Sequence, residues 1–142
     1  MPIQIVIDTN VLIAALQSNR GASFRLLSLV GASEKFEINV SVPLILEYEE
    51  VAKRLRGKSN QTLRTIDDII DYLCSVANQR EIYFLWRPFL KDPQDDMVLE
   101  LAVEAQSRFI VTFNLKDFEG VEKFGLRAVT PHQFLKRLGE TR

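Results

Sequence analysis

At 142 residues the chain has the length of one domain and needs no covalent staples, since about two thirds of its unfolded surface can be buried. Hydrophobic residues at 46% and charged residues at 26% exclude a disordered chain. A single Cys beside a single His excludes both a disulfide scaffold and a soft-ligand zinc site.

The run Ile3-Gln4-Ile5-Val6-Ile7 predicts a short buried strand that ends at Asp8-Thr9-Asn10, followed by a helix carrying Val11 to Leu16. Residues 21–30 read as a second helix, stopped by Gly31-Ala32-Ser33. A strand is expected over Glu37 to Val42, with Pro43 in the first turn of a helix that continues through Leu44, Tyr48, Val51 and Leu55 to Gly57. Leu63, Ile66, Ile69, Ile70, Leu73 and Val76 predict a further amphipathic helix, and Ile82 to Leu85 a strand. Asp92-Pro93-Gln94-Asp95 opens a helix to about Gln106, with acids at its positive end. Strands follow at Phe109 to Thr112 and Leu126 to Val129. Thr130-Pro131-His132-Gln133 forms a capping-box pattern for a last helix.

This alternation predicts an α/β domain spanning 1–142, with a mostly parallel central sheet. Ligands of such sheets sit beyond the carboxyl ends of the strands. Asp8 and Thr112, with Asn114 and Asp117 behind it, fall at that edge. The start of the chain carries no basic segment, and Asp8 interrupts its apolar run, so no signal peptide is expected. No apolar stretch reaches the ~18 residues of a membrane span, and a cytoplasmic setting is the expectation.

Four segments bring carboxylates to one plausible point: Asp8, Glu47, the Asp92 to Asp96 cluster, and Asp117. Ionised carboxylates cannot share a site without a counter-cation. Oxygen ligands with almost no His or Cys suit Mg²⁺ or Mn²⁺, and a carboxylate-held metal pair suits phosphodiester hydrolysis. Each acid has a plainer reading. Asp8 could only cap its helix, although it closes a strand where an unpaired charge is costly. Glu47 and Glu49 border the apolar stripe on opposite sides, and periodicity does not choose between them. Asp95 shares the face of Val98, Leu99 and Ala102, whereas Asp96 shares that of Glu100 and Glu104, so Asp95 points inward and Asp96 outward. Asp92 before Pro93 reads as turn chemistry, and Asp117 could belong to a short helical turn after Asn114. Ser41 could hold a metal-associated water or only the next helix.

Lys53, Arg54, Arg56, Lys58 and Arg64 form a stretch without acids, either a solvated face or a phosphate track. His132 reads as a surface or capping residue and Cys74 as core. Phe84, Trp86 and Phe89 read as packing around the approach to the acidic helix.

Asp8-Thr9-Asn10-Val11-Leu12 after an apolar strand resembles the opening of the PIN-domain family. In order there follow Ser41-Val42-Pro43 with Leu46-Glu47-Tyr48, Asp92-Pro93-Gln94-Asp95-Asp96 with Leu99-Glu100-Leu101-Ala102, the segment from Val111 to Phe118, and Thr130-Pro131 with Phe134-Leu135. The Asp-Pro-x-Asp form resembles the toxin branch of toxin–antitoxin systems, akin to VapC-like ribonucleases. The resemblance implies a three-layer α/β/α fold and a ribonuclease using one or two Mg²⁺ or Mn²⁺ ions. It also implies a small antitoxin partner and a homodimer. Asp8, Glu47 and Asp95 match the principal acids, and Asp117, with Asp96 as an outer ligand, completes the implied metal set. Asn114 departs from the pattern, standing where many members have Asp. Thr9, Asn10, Ser41, Thr112 and Asn114 would orient ligands or substrate, and Lys53, Arg54, Arg56 and Lys58 would contact RNA. Two rivals are a PIN-fold RNA- or protein-binding module without strong turnover, and a phosphotransfer domain. The latter would want an acid two residues after Asp8, where Asn10 stands.

Overall fold

The structure, a computed structural model, describes residues 1–82 and 89–139. Its sheet is wholly parallel: β1 (Ile3–Ile7), β2 (Phe36–Val40), β3 (Asn78–Gln79), β4 (Phe109–Val111) and β5 (Arg127–Val129), in the order β3-β2-β1-β4-β5. Strands covered on both faces favour unbroken apolar runs over alternation. That is why Ile5, Val6, Ile7 and the whole of β4 are buried. Register places Ile5 against Ile38 on one side and against Phe109 on the other.

Around the sheet lie α1 (Thr9–Gln17), α2 (Ala22–Leu29), α3 (Val42–Arg54), α4 (Arg56–Ser59), α5 (Leu63–Val76), α6 (Pro93–Glu104) and α7 (Pro131–Leu138). Helix α6 packs across β1, β2 and β4, while α1 contacts α2 and α3, α3 contacts α5, and α2 contacts α7. The arrangement is the expected α/β/α sandwich. Phe134 of α7 ties the sheet to that helical layer, meeting Phe36 edge-on at 5.4 Å and Phe109 at 5.7 Å.

Three boundaries differ from the sequence reading. The second strand stops at Val40, because the Ser41 hydroxyl accepts the Leu44 N–H and starts α3 at Val42. The helix expected through Gly57 breaks at Leu55 into α3 and α4. The strand expected over Ile82 to Leu85 is not found at Ile82, and its other residues lie outside those described. The third strand is instead Asn78–Gln79, a polar pair whose neighbour Arg80 donates its N–H to Val40 O. An edge strand this short carries no apolar run to announce it.

The chain moves outward from β1 to β2 and β3, then returns to the other side of β1 for β4 and β5. The strand order therefore reverses between β1 and β4, the place where open α/β sheets leave a crevice at their carboxyl ends.

Candidate active site

Asp8 leaves β1 at that crevice. Its N–H still bonds Val111 O at 2.9 Å, so the β1–β4 ladder fixes its backbone. Its side chain caps α1, Oδ1 accepting the Thr9 N–H at 2.9 Å, while Oδ2 accepts from Thr112 Oγ1 at 2.8 Å. Both readings of Asp8 are thus compatible, since capping leaves its carboxylate at the cleft. Asp8 is only 7% exposed. Burial pushes its carboxyl above the ordinary value, partly offset by the Thr112 and Thr9 hydrogen bonds and reinforced by Glu47 and Asp117.

Thr112 is completely buried and organises this corner. Besides donating to Asp8, its hydroxyl accepts the Asn114 N–H at 3.0 Å and lies 3.5 Å from Asn10 Nδ2. Asn10 Oδ1 in turn accepts the Phe113 N–H. The chain after β4 is thereby tied to the start of α1.

The fold decides between the two glutamates of α3. Glu49 Oε2 pairs with Lys53 at 2.7 Å, away from the cleft, whereas Glu47 Oε2 accepts from Thr9 Oγ1 within it. The other oxygen, Glu47 Oε1, is buried with no hydrogen-bond partner. An unpaired buried carboxylate oxygen is costly, and Glu47 lines its cleft together with other acids. Tyr48, beside Glu47 and fully buried, donates its hydroxyl to Ile7 O and fastens α3 to the end of β1. Helical spacing places Tyr48 in the apolar stripe of α3, and its phenol, which must find an acceptor when buried, is the further signal.

Asp95 sits in the first turn of α6, behind the Asp92 cap, whose Oδ1 accepts the Gln94 N–H. Desolvation, and then the charges of Asp8, Asp92, Asp117 and Glu47, push its carboxyl up to about 7. Asp117 lies in a short 3₁₀ turn over Leu115–Phe118 and is exposed at the cleft mouth. Asp8, Glu47, Asp95 and Asp117 thus line one open cleft of about 370 Å³ together with Thr9, Asn10, Asp92, Gln94 and Asn114.

Other candidates fall elsewhere. Asp96, expected as an outer metal ligand, does not line the cleft; its Oδ1 accepts the N–H groups of Phe89 (3.2 Å) and Leu90 (2.8 Å) and anchors the entry to α6. Ser41 caps α3 and lines a separate cavity with Cys74 and Arg80, so it is not placed to hold a water at the acids. Lys53 is engaged by Glu49 and Asp67, Arg54 by Glu50, and Arg56 donates to Lys53 O. None of these three, nor Lys58, lines the acidic cleft. Two cations of the expected phosphate track, Lys53 and Arg54, are thus paired with carboxylates, and the track lies outside the acidic cleft. His132 is exposed, while Phe84 and Trp86 lie outside the described residues.

Among the described residues, no three Asp, Glu, His or Cys side chains stand close enough to form a finished metal cage. The donor set nonetheless fits a hard divalent cation. Every candidate ligand is an oxygen, one buried carboxylate oxygen is orphaned, and the two perturbed acids are raised by burial and mutual repulsion.

Residues 4–116 match the family model described as PIN domain. No curated protein matches the chain in sequence. Among solved structures, it is similar to a chain in the crystal structure of VapBC2 from Rickettsia felis bound to a DNA fragment from their promoter. The two share 13% identity and a TM-score of 0.61, over 90% of this chain and 98% of that one.

Proposed function

The chain belongs to the PIN domain family, and from that premise we propose that it is a Mg²⁺- or Mn²⁺-dependent endoribonuclease that hydrolyses RNA phosphodiester bonds in the acidic cleft. The observation that carries this reading is that Asp8, Glu47, Asp95 and Asp117, from four separate segments, line one cleft in which Glu47 keeps a carboxylate oxygen without a hydrogen-bond partner.

Asp8, Glu47 and Asp95 would hold the first ion, and Asp117 with the side-chain carbonyl of Asn114 a second. A divalent ion bound there supplies Lewis-acid stabilisation of phosphoryl charge and makes water a competent nucleophile near neutral pH. The chain's own residues supply position. Thr112 and the Thr9 N–H hold the Asp8 carboxylate in one rotamer, Thr9 Oγ1 steadies Glu47, and Asn10 pins the backbone that carries Asn114.

The same proposal makes the protein the toxin component of a toxin–antitoxin pair. It would work in the cytoplasm as a homodimer held in check by a small antitoxin. The fold shared with the VapBC2 chain supports it, and no helix among the described residues is long and apolar enough to cross a membrane. A binding module with weak turnover is the second reading, favoured by Asn114, which lines the cleft without adding charge.

The deciding experiment follows cleavage of mixed-sequence RNA, and thermal unfolding, with Mn²⁺ or EDTA. Wild type should cleave RNA and unfold at a higher temperature in Mn²⁺, and Asp8→Asn, which keeps the helix cap, should lose both responses. Stabilisation by Mn²⁺ without cleavage of any RNA would favour the binding module. Absence of both would refute the metal site.

A further inference from the structure

A second cavity of about 500 Å³ opens from the acidic cleft, with Asp92, Asp95 and Asp117 lining both. Its remaining wall is formed by Phe89, Leu90, Lys91, Lys116 and Glu119, so the two lysines stand at the rim of an otherwise acidic cavity. Both lysines are exposed, and among the described residues neither ammonium has an ion-pair partner. Lys53 and Arg54, by contrast, are consumed by carboxylates of their own helix and of α5. Phe89 is 38% exposed but firmly seated. Its ring meets Phe124 edge-on at 5.2 Å and rests on Gly120, where an added Cβ would come within 3.1 Å of it.

An RNA strand approaching four carboxylates on a chain of net charge −1 needs cations at the lip of the site to hold its backbone. Taking the nuclease reading as its basis, we propose that this second cavity is a subsite for the nucleotides flanking the scissile bond of single-stranded RNA. Lys91 and Lys116 contact non-scissile phosphates there, and Phe89 offers its apolar surface to an unpaired base. Duplex RNA keeps its bases stacked and would leave Phe89 unused. The subsite shares its inner edge with the acids, so a strand bound in it passes the cleft.

The test measures the affinity of a labelled mixed-sequence single-stranded RNA dodecamer across a salt series in EDTA, where cleavage is suppressed. Lys91→Gln/Lys116→Gln should bind at least tenfold more weakly, with a log K against log salt slope reduced by about 1.4, as expected for two phosphate contacts on a single strand. Phe89→Ala should weaken binding without altering the slope, because an apolar contact releases no counterions. Lys53→Gln/Arg54→Gln should match wild type. Wild-type affinity and slope in the Lys91/Lys116 variant, with melting temperatures equal, would overturn the subsite while leaving the nuclease reading standing. Failure of wild type both to bind and to cleave RNA would overturn both.

Discussion

Removing one of the acids should stabilise the metal-free protein. The Asp95 carboxyl is raised from 3.8 to about 7, so the folded state holds its proton more tightly than the unfolded chain. Below about pH 4 both states are protonated and Asp95 costs nothing. Between about pH 4 and 7 the unfolded chain ionises first and the fold loses stability; above 7 the loss is complete. Full conversion of that displacement would be ~4 kcal/mol. Asp95 is only partly buried, and solvent screening brings this to about 1–2 kcal/mol. Asn at this position also forfeits the attraction of a carboxylate to the α6 N-terminus, roughly 0.3–1 kcal/mol. In EDTA at pH 8, Asp95→Asn should therefore unfold about 1 kcal/mol later than wild type, a rise of roughly 3–5 °C. At pH 5 about a third of the electrostatic gain should remain. In Mn²⁺ the order should invert, since wild type at 100 times its Kd gains about 2.7 kcal/mol that the variant lacks. Chemical or thermal unfolding at two pH values, with and without metal, reads all three results. A variant less stable than wild type in EDTA at pH 8, or an advantage as large at pH 5 as at pH 8, would refute the picture of mutually repelling, desolvated carboxylates.

Three further outcomes follow from the hydrogen bonds. Thr112→Val keeps the shape but strips Asp8 of a donor and the Asn114 N–H of its acceptor, and denaturant unfolding should show a loss of about 2–3 kcal/mol. RNA cleavage should fall with it, because Asp8 is freed to rotate. Ser41→Ala should cost about 1 kcal/mol through the lost α3 cap and leave the Mn²⁺-induced shift in melting temperature at its wild-type size. Tyr48→Phe frees the Ile7 carbonyl and should cost about 1 kcal/mol by denaturant titration.

Legibility in the sequence followed the kind of force involved. Buried parallel strands announce themselves as apolar runs, and Ile3–Ile7 and Phe109–Val111 fell within a residue of expectation. Caps speak through short-range chemistry, and the box at Thr130 and Gln133 formed as its pattern implied. β3 was hidden, being two polar residues paired at a sheet edge with nothing apolar to mark them. Among the acids, the wheel that turned Asp95 inward matched its place in the cleft. The choice between Glu47 and Glu49 needed Thr9, 38 residues away, and no periodicity contains that contact. The pairing of the basic stretch was hidden for the same reason. Glu49 and Glu50 precede it by one helical turn, and Asp67 reaches Lys53 from α5, so Lys53 and Arg54 are already paired in space although the run itself contains no acid.

The cost of the cleft explains why its polar neighbours are so fully committed. Asp8 and Glu47 are held by partners that are themselves fixed: a buried threonine, a helix N-terminal N–H, and a threonine in the first turn of α1. Like charges brought together in the unliganded fold would otherwise separate by rotating outward into water. Thr112 prevents this at Asp8, and the packing of α3 through Tyr48 prevents it at Glu47. Asp117, by contrast, is exposed, on a 3₁₀ turn anchored by the buried Phe118. The cleft therefore combines two acids fixed on the sheet side with a solvent-facing acid at its mouth. That arrangement also sets the solvent-facing carboxylate beside Lys116, so the charge at the mouth is shared between an acid and a base, while the acids within are held by neutral donors alone.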